Sequence, residues 1–317
     1  MSSPVRTLKA RAKTQIVDQI REEQQQYPKE QRFTVAEILR AIKLSKSTYY
    51  DERQRILHPS NKYDHIKQAK QAILKIIEEG RVCGRLTYGY RRVKFKLEKL
   101  GIHLADATVE SLMYQLGVQV SLYNRHRNHQ YHSYIGRVGM TADNLLNQTF
   151  DKTEPYQVIH TDVSQIKLAN GQWAYISVML DEASKEILAF QISAHPDRSL
   201  IIKTLKQLQK QLPTNATPVI HSDQGWHYQL PYYVRQLKDH HFVQSMSRKG
   251  NCLDNAPIES FFHLFKAELL DGFPPCKDLL EFKKLSLKYV HYFNHERISL
   301  KTKGMTPVEY RNHALAV

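Results

Sequence analysis

Cysteine is nearly absent. Cys83, Cys252 and Cys276 are far apart, odd in number and never in a C-x-x-C pair, which leaves neither a disulfide framework nor a cysteine zinc site to build. Long apolar runs are missing too. The most apolar stretch, Ala174–Leu180, falls far short of the ~20 residues that cross a bilayer, and the N-terminus MSSPVRTLKARAKTQ has no apolar segment of the kind that directs secretion. These absences predict a cytoplasmic protein without membrane association. Acidic residues are in deficit, 31 Asp and Glu against 46 Lys and Arg, and the net charge is +15. The deficit is uneven: residues 1–150 carry 26 basic against 14 acidic side chains, residues 151–317 carry 20 against 17. A basic front half joined to a nearly neutral back half fits an arm that holds a polyanion and a core that acts on it, although many solvated helices are equally lysine-rich.

At 317 residues the chain has room for two or three domains and one sizeable core. The front half reads as helical. In FTVAEILRAIKLSKSTYYDERQR (Phe33–Arg55), Val35, Ile38, Leu39 and Ile42 share one helical face, the pattern breaks at KLSKS, and Ser45 or Ser47 can cap a second helix. Two short helices across a tight turn make residues 1–60 a helix-turn-helix-like region, or a plain helical hairpin. A second helical module spans 61–122. YGYRRVKFKLEKLG and IHLADATVESLMYQLGV end at Gly101 and Gly117, residues suited to the left-handed position past a helix end. Arg91 and Arg92 open the first of these helices and make it strongly cationic, so the helix pair is either a DNA-binding module, with Arg91 and Arg92 as its DNA contacts, or a charged packing hairpin. Residues 123–154, with His126, His129 and His132, lack periodicity and read as a linker.

From residue 155 to 317 the pattern is α/β. YQVIHTDVSQIKL, QWAYISVMLDEA and KEILAFQIS are three β-rich runs with short connections. A helix (Arg198–Leu212), the short strand in PVIHSD, a helix (Leu230–Lys238), a brief strand near Phe242–Ser245 and a long helix follow. A meander followed by alternating helix and strand predicts a mixed sheet. Three acids stand out. Asp162 interrupts a mostly apolar strand, where a carboxylate is costly unless it is matched or faces a cleft. Asp223 lies just past the end of PVIHS, where open α/β sheets place ligand-binding groups. Glu259 lies in the first turn of the helix after SMSRKGNCLDNAP, behind Asn255 as N-cap, and Lys266 follows on the same face two turns later. Singly each acid has an ordinary use as a turn or helix-end residue. Three carboxylates converging without a matched cation suit hard divalent ions, Mg²⁺ or Mn²⁺, and two such ions suit in-line phosphoryl displacement. Arg248 and Lys249, beside Gly250, stand in a loop that could close on phosphate.

HSDQGWHY, VQSMSRKGNCLDNAPIESFFHLFKAEL and YFNHERISLKTKGMTPVEY resemble the second-frame product of transposases of the insertion-sequence-three family, relatives of retroviral integrases. The resemblance extends over LSKSTYY, the YGYRRVKFKLEKLGI…TVESLMYQLGV unit, NLLNQTF and the whole of 155–312. It implies a ribonuclease-H-like core preceded by helix-turn-helix modules, in a bacterial DNA-bound enzyme. It also implies the reaction: binding of the element's terminal inverted repeats, metal-dependent release of a 3′-OH, and attack of that 3′-OH on a second phosphodiester, commonly first joining the two ends of the element into a circular intermediate that then inserts into target DNA. By the same resemblance Asp162, Asp223 and Glu259 are the metal ligands, holding two Mg²⁺ or Mn²⁺ ions, and Lys266, Arg248, Lys249 and Asn251 are DNA contacts. The implied partners are DNA, further copies of the chain on that DNA, and a first-frame protein, either separate or joined by frameshifting. Where relatives carry an aromatic residue before the first aspartate and TDITY around it, this chain has Ile159, His160 and Gln165. A DNA-binding regulator with an inactive core, or a metal-dependent nuclease that cannot join strands, are the competing functions.

Overall fold

The computed structural model describes residues 8–58, 62–120, 141–271 and 274–316. Most of the expected linker, with His126, His129 and His132, lies outside the described residues. The chain divides into two compact units, Met1–Ala69 and Lys70–Val317.

The first unit is helical. It contains α1 (Ala10–Glu23), α2 (Val35–Ala41) and α3 (Lys46–Leu57). Thr34 and Glu37 form a reciprocal capping box at the start of α2, so two backbone N–H groups that the helix cannot satisfy find acceptors. The chain reverses through Lys43, whose φ is 53°. Ser45 then caps α3 by accepting the Thr48 N–H at 3.1 Å. The apolar face read from the sequence is the face that packs: Ile38, Leu39 and Ile42 are buried with Val17 and Tyr49. The Tyr49 hydroxyl donates to Asp18 at 2.5 Å, and Arg53 reaches the same carboxylate at 3.0 Å.

Helix α4 (Lys62–Glu79) carries the chain across the boundary between the two units, and the second unit continues with a short hairpin, β1 (Arg81–Val82) and β2 (Arg85–Leu86), then α5 (Tyr90–Lys99) and α6 (Asp106–Gln115). Gly101 and Gly117 end α5 and α6 with φ of 76° and 67°, as their positions predict. The catalytic-type sheet follows: β3 (Val158–Lys167), β4 (Trp173–Asp181), β5 (Ile187–Ser193), β6 (Val219–Ser222) and β7 (Val243–Met246), in the order β5-β4-β3-β6-β7. β3, β4 and β5 are antiparallel; β6 runs parallel to β3, and β7 parallel to β6. The sheet is mixed, as the pattern of short then long connections predicts.

Strand alternation divides the core in two. Ile159, Met179, Ala189 and Ile220 face α7 (Arg198–Gln211) and α8 (Pro231–Asp239), with Leu205, Leu208, Tyr233 and Leu237. Ile176, Val178, Leu180 and Phe190 face α9 (Ala256–Phe265) and α10 (Leu279–His295), with Phe261, Phe265, Phe282 and Tyr289. Helix α11 (Pro307–Ala316) closes the chain. The α4–α6 module packs on the C-terminal part of this core. Thr87 hydrogen-bonds Tyr292 at 2.6 Å, and the Tyr88 hydroxyl donates to the Glu296 carbonyl at 2.8 Å. Phe95 lies so close to Gly304 that a Cβ there would come within 1.9 Å of its ring, and Gly304 also has φ of 75°, so this contact requires glycine.

Candidate active site

Asp162 sits in β3 opposite Val178 of β4, and His160 opposite His221 of β6. In a strand, residues two apart share a face; Asp162 and His160 therefore point to the α9 side of the sheet, as Val178 and Leu180 do. β6 ends at Ser222, and Asp223 follows it at the C-terminal edge, level with Asp162 across the parallel pair. Glu259 lies in the first turn of α9. All three acids are half-buried. Asp162 accepts the Val163 N–H at 2.7 Å and Asp223 accepts the Gly225 N–H at 2.8 Å. A Cβ on Gly225 would meet that Asp223 oxygen at 2.8 Å, which is the physical reason for glycine two residues after the acid.

The charges of these groups meet. Burial first, then the Asp223 charge and that of Glu259, hold the Asp162 carboxyl well above the usual carboxylate range, while the Val163 N–H and the Lys266 ammonium pull the other way. Asp223 is raised by burial against the Gly225 N–H and His227. Burial and the Asp223 charge raise Glu259. The Asp223 charge thus acts on both other acids, and that of Glu259 on Asp162, as neighbouring like charges do. Among the described residues none of the three is taken up by an ion pair, and no group of three or more His, Cys, Asp or Glu side chains is gathered at metal-holding distance. The trio is a set of neighbouring half-buried charges rather than a closed cage. As a donor set, three hard carboxylate oxygens with interacting fields fit a hard divalent cation.

The other expected contacts separate. Lys266 ends α9 and opens a π turn, Lys266–Leu270, closed by the Asp271 N–H on the Lys266 carbonyl at 2.8 Å; such single wide turns recur at functional sites. Its charge reaches Asp162. Arg91 and Arg92, at the start of α5, line a cleft of about 1510 Å³ whose other wall holds Glu259, Ser260 and His263 of α9, with Lys152, Lys185 and Lys301 also lining it. Arg92 is steadied by a bond to the Thr87 carbonyl at 2.9 Å. Arg248, by contrast, is committed within its own loop: its guanidinium grips the buried Asp254 through two nitrogens at 2.8 and 2.9 Å, and its backbone N–H adds a third bond. Lys249 and Gly250 are exposed and Asn251 half-buried, and none of the four lines the cleft.

Two sequence expectations need correction here. Asn255 occupies the N-cap position of α9, but its side chain makes no capping bond. The amide reaches instead to β3, donating to the Thr161 carbonyl at 3.2 Å and accepting from His160 at 2.8 Å. The segment 141–154, expected as the end of a linker, is bonded to the core: Asn144 and Gln148 donate to Asp254 at 2.9 and 2.8 Å. What the sequence reading missed is polar and buried, namely His160, His221, Glu182 and Asp254. For the first three the signal was present, as charged or polar residues inside VIHTD, PVIHS and MLDEA where apolar ones are expected.

Known proteins resemble this chain in matching segments. A family profile described as integrase core domain matches residues 152–252, a second integrase core domain profile matches 259–315, and an HTH-like domain profile matches 65–127. The putative transposase InsK for insertion sequence element IS150 of Escherichia coli (strain K12) is 38% identical over 282 residues, covering 88% of this chain and 94% of that protein. The transposase InsF for insertion sequence IS3A of the same organism is 25% identical over 290 residues, covering 90% and 96%. Among solved structures, the HTLV-2 integrase catalytic core domain in complex with magnesium aligns with 50% of this chain and 97% of its own at a TM-score of 0.40 and 14% identity.

Proposed function

Because the chain belongs to the insertion-sequence transposases of the IS3 family, we propose that this DNA-transposing polynucleotidyl transferase works through Asp162, Asp223 and Glu259, which would hold divalent ions, Mg²⁺ or Mn²⁺, against the scissile phosphodiester. The observation that carries the reading is geometric: three half-buried acids stand on β3, just past the end of β6 and in the first turn of α9, the helix that packs on the face of the sheet to which Asp162 points. When bound, such ions supply Lewis acidity at the attacking and leaving oxygens. The remaining work belongs to the protein. Lys266, whose charge already reaches Asp162, offers an ammonium to a phosphate oxygen beside the acids. Arg91 and Arg92 face Glu259 across the cleft and hold the DNA backbone by charge. Helices in the front half supply the reading of the terminal repeats, and several copies of the chain act together on the two ends.

The reaction is hydrolysis at an element end followed by transesterification. Water attacks the phosphodiester and leaves a 3′-OH; that 3′-OH then attacks a second phosphodiester, forming one P–O bond as another breaks. Labelled end-repeat DNA with Mg²⁺, assayed separately for nicking and for joining, tests it. The expected result is both products from the natural protein and neither, to a loss of at least about 10³-fold, from Asp162→Asn or Glu259→Gln. Joining retained in Glu259→Gln overturns the assignment. Nicking without joining in the natural protein makes it a nuclease, and repeat binding with no cleavage makes it a regulator.

A further inference from the structure

Asn255 stands immediately before α9, and Glu259 follows four residues later, about one helical turn. An asparagine at an N-cap normally turns its side chain onto the helix's own N–H groups. This one turns away and grips two consecutive residues of β3, the ones just upstream of Asp162. Its Nδ2 donates to the Thr161 carbonyl at 3.2 Å and its Oδ1 accepts from His160 Nδ1 at 2.8 Å. An amide engaged at both ends cannot rotate, so the first residue of the helix is fixed to the strand at two points.

The grip is backed by a second layer. His160 Nε2 is hydrogen-bonded to Glu182 Oε2 at 2.9 Å, and the other Glu182 oxygen accepts the Lys152 N–H at 3.1 Å. The His160 ring lies edge-on between Phe150 and His221, each with its centroid 5.6 Å away. His221 is bonded in turn to Ser245 and Ser247 at 2.9 and 3.1 Å. His160, His221 and Asn255 are all nearly inaccessible to solvent, as is Glu182. Burying four such polar groups is unfavourable unless each is matched, and a fully matched polar network admits one arrangement where an apolar contact admits several. The neighbouring Asp254 does the same for the loop, binding Arg248, Asn144 and Gln148.

We propose that the Asn255 side chain, held by His160 and by the Thr161 carbonyl, is a positioning device for the transfer reaction: it sets the start of α9 on β3 so that Glu259 faces Asp162. These residues touch neither the DNA nor the reacting atoms. The inference rests on the reading of Asp162, Asp223 and Glu259 as the acidic trio.

Two substitutions at His160 separate positioning from mere stability. In His160→Asn the amide nitrogen falls near the place of Nδ1 and still donates to Asn255, while the bond to Glu182 is lost. In His160→Gln the longer side chain keeps the bond to Glu182 and loses the one to Asn255. The full chain of each variant, with Asn255→Ala, is measured for end-repeat binding, for joining with Mg²⁺, and, without DNA, for the rise in melting temperature caused by Mn²⁺ alone. Displacing a reacting group by about 1 Å costs on the order of 100-fold in rate. The expected result is therefore a loss of that size in joining for Asn255→Ala and His160→Gln, unchanged repeat binding, and a diminished Mn²⁺-induced rise. His160→Asn keeps joining within about 3-fold and keeps the Mn²⁺ response. Equal loss in His160→Asn and His160→Gln, in proportion to their metal-free melting temperatures, overturns the proposal, and so does full joining by Asn255→Ala. If Asn255→Ala fails to fold, the His160 pair still decides. Glu259→Gln is run alongside: its full activity defeats the acidic-trio reading itself, whereas an inactive Glu259→Gln with indistinguishable His160 variants defeats only the positioning device.

Discussion

The two helical hairpins of the chain, α2–α3 and α5–α6, are similar in length and secured by different means. α2–α3 carries its own fastenings: the Thr34–Glu37 capping box, the Ser45 cap and a small core around Ile38, Leu39 and Tyr49. α5–α6 has none of these at its helix starts, where Gly89 and Ala105 make no side-chain cap. Its security comes from outside the hairpin, through Thr87, Tyr88 and the contact of Phe95 with Gly304. A hairpin closed by local caps is self-contained; one closed by tertiary contacts is part of whatever it leans on. The second therefore forms a wall of the Glu259 cleft, with Arg91 and Arg92 on it.

The contrast breaks most clearly at Tyr88. It is fully buried, and its hydroxyl both donates to Glu296 and accepts the Ile298 N–H. Tyr88→Ala is expected to cost about 3–5 kcal/mol. Hydrogen exchange should then rise in α5, α10 and β1–β2 together, with α2–α3 unchanged. Equal loss of protection in α2–α3 would mean that the two hairpins share one source of stability.

A pH series sharpens the same contrast through two glutamates. Burial pushes the Glu186 carboxyl up to about 7 even though Arg311 lies 2.9 Å away. The folded state thus holds a proton that the unfolded chain releases near its ordinary value of 4.5, so this group's contribution to stability falls as pH rises from about 4.5 to 7 and levels off above. The effect is on the order of 1–3 kcal/mol. Glu37 is opposite in sign: the hydrogen bonds from Thr34 lower it, so its contribution is present above its ordinary pKa and lost as pH falls through the lowered one. Thermal melts at pH 5 and pH 8 should show the larger unit losing stability with rising pH in the natural chain and losing less of it in Glu186→Gln. Identical slopes in the two proteins refute the assignment. The smallest effect belongs to the local cap: Ser45→Ala should cost about 1 kcal/mol, read as faster exchange confined to α3, with no change in Arg91-lined segments.

Much of this organisation was legible because it is periodic. Alternation in VIHTDVSQI and YISVMLD gives strands with one acid out of pattern, and a helix start after NCLDNAP places Glu259. Gly101 and Gly117 mark helix ends because the left-handed conformation there favours glycine. What failed was the choice of partner. Asn255 carries a strong local signal for capping, and a strand 94 residues away in the chain outcompeted the helix for its amide. Arg248 has the chemistry of a phosphate contact and stays exposed, and its guanidinium also binds Asp254, six residues on, a partner the local sequence does not announce. The hairpin of β1 and β2, two residues per strand, is too short to leave a period. Local sequence reports what a side chain can do; long-range packing chooses among those uses.

The π turn at Lys266–Leu270 has a consequence for helical phase. A wide turn holds one residue more than an α-helical turn, and here it lets Ala267, Glu268 and Leu269 all point inward, with Glu268 bound to Arg297 and Tyr289. Removing a single residue from this segment would restore regular α-helical winding and take away the room in which Ala267, Glu268 and Leu269 all face inward, at the expense of the Glu268 pocket while leaving Glu259 in place. Indels within these five positions are thus expected to be far less tolerated than substitutions, although none of the five except Lys266 lies near the acids.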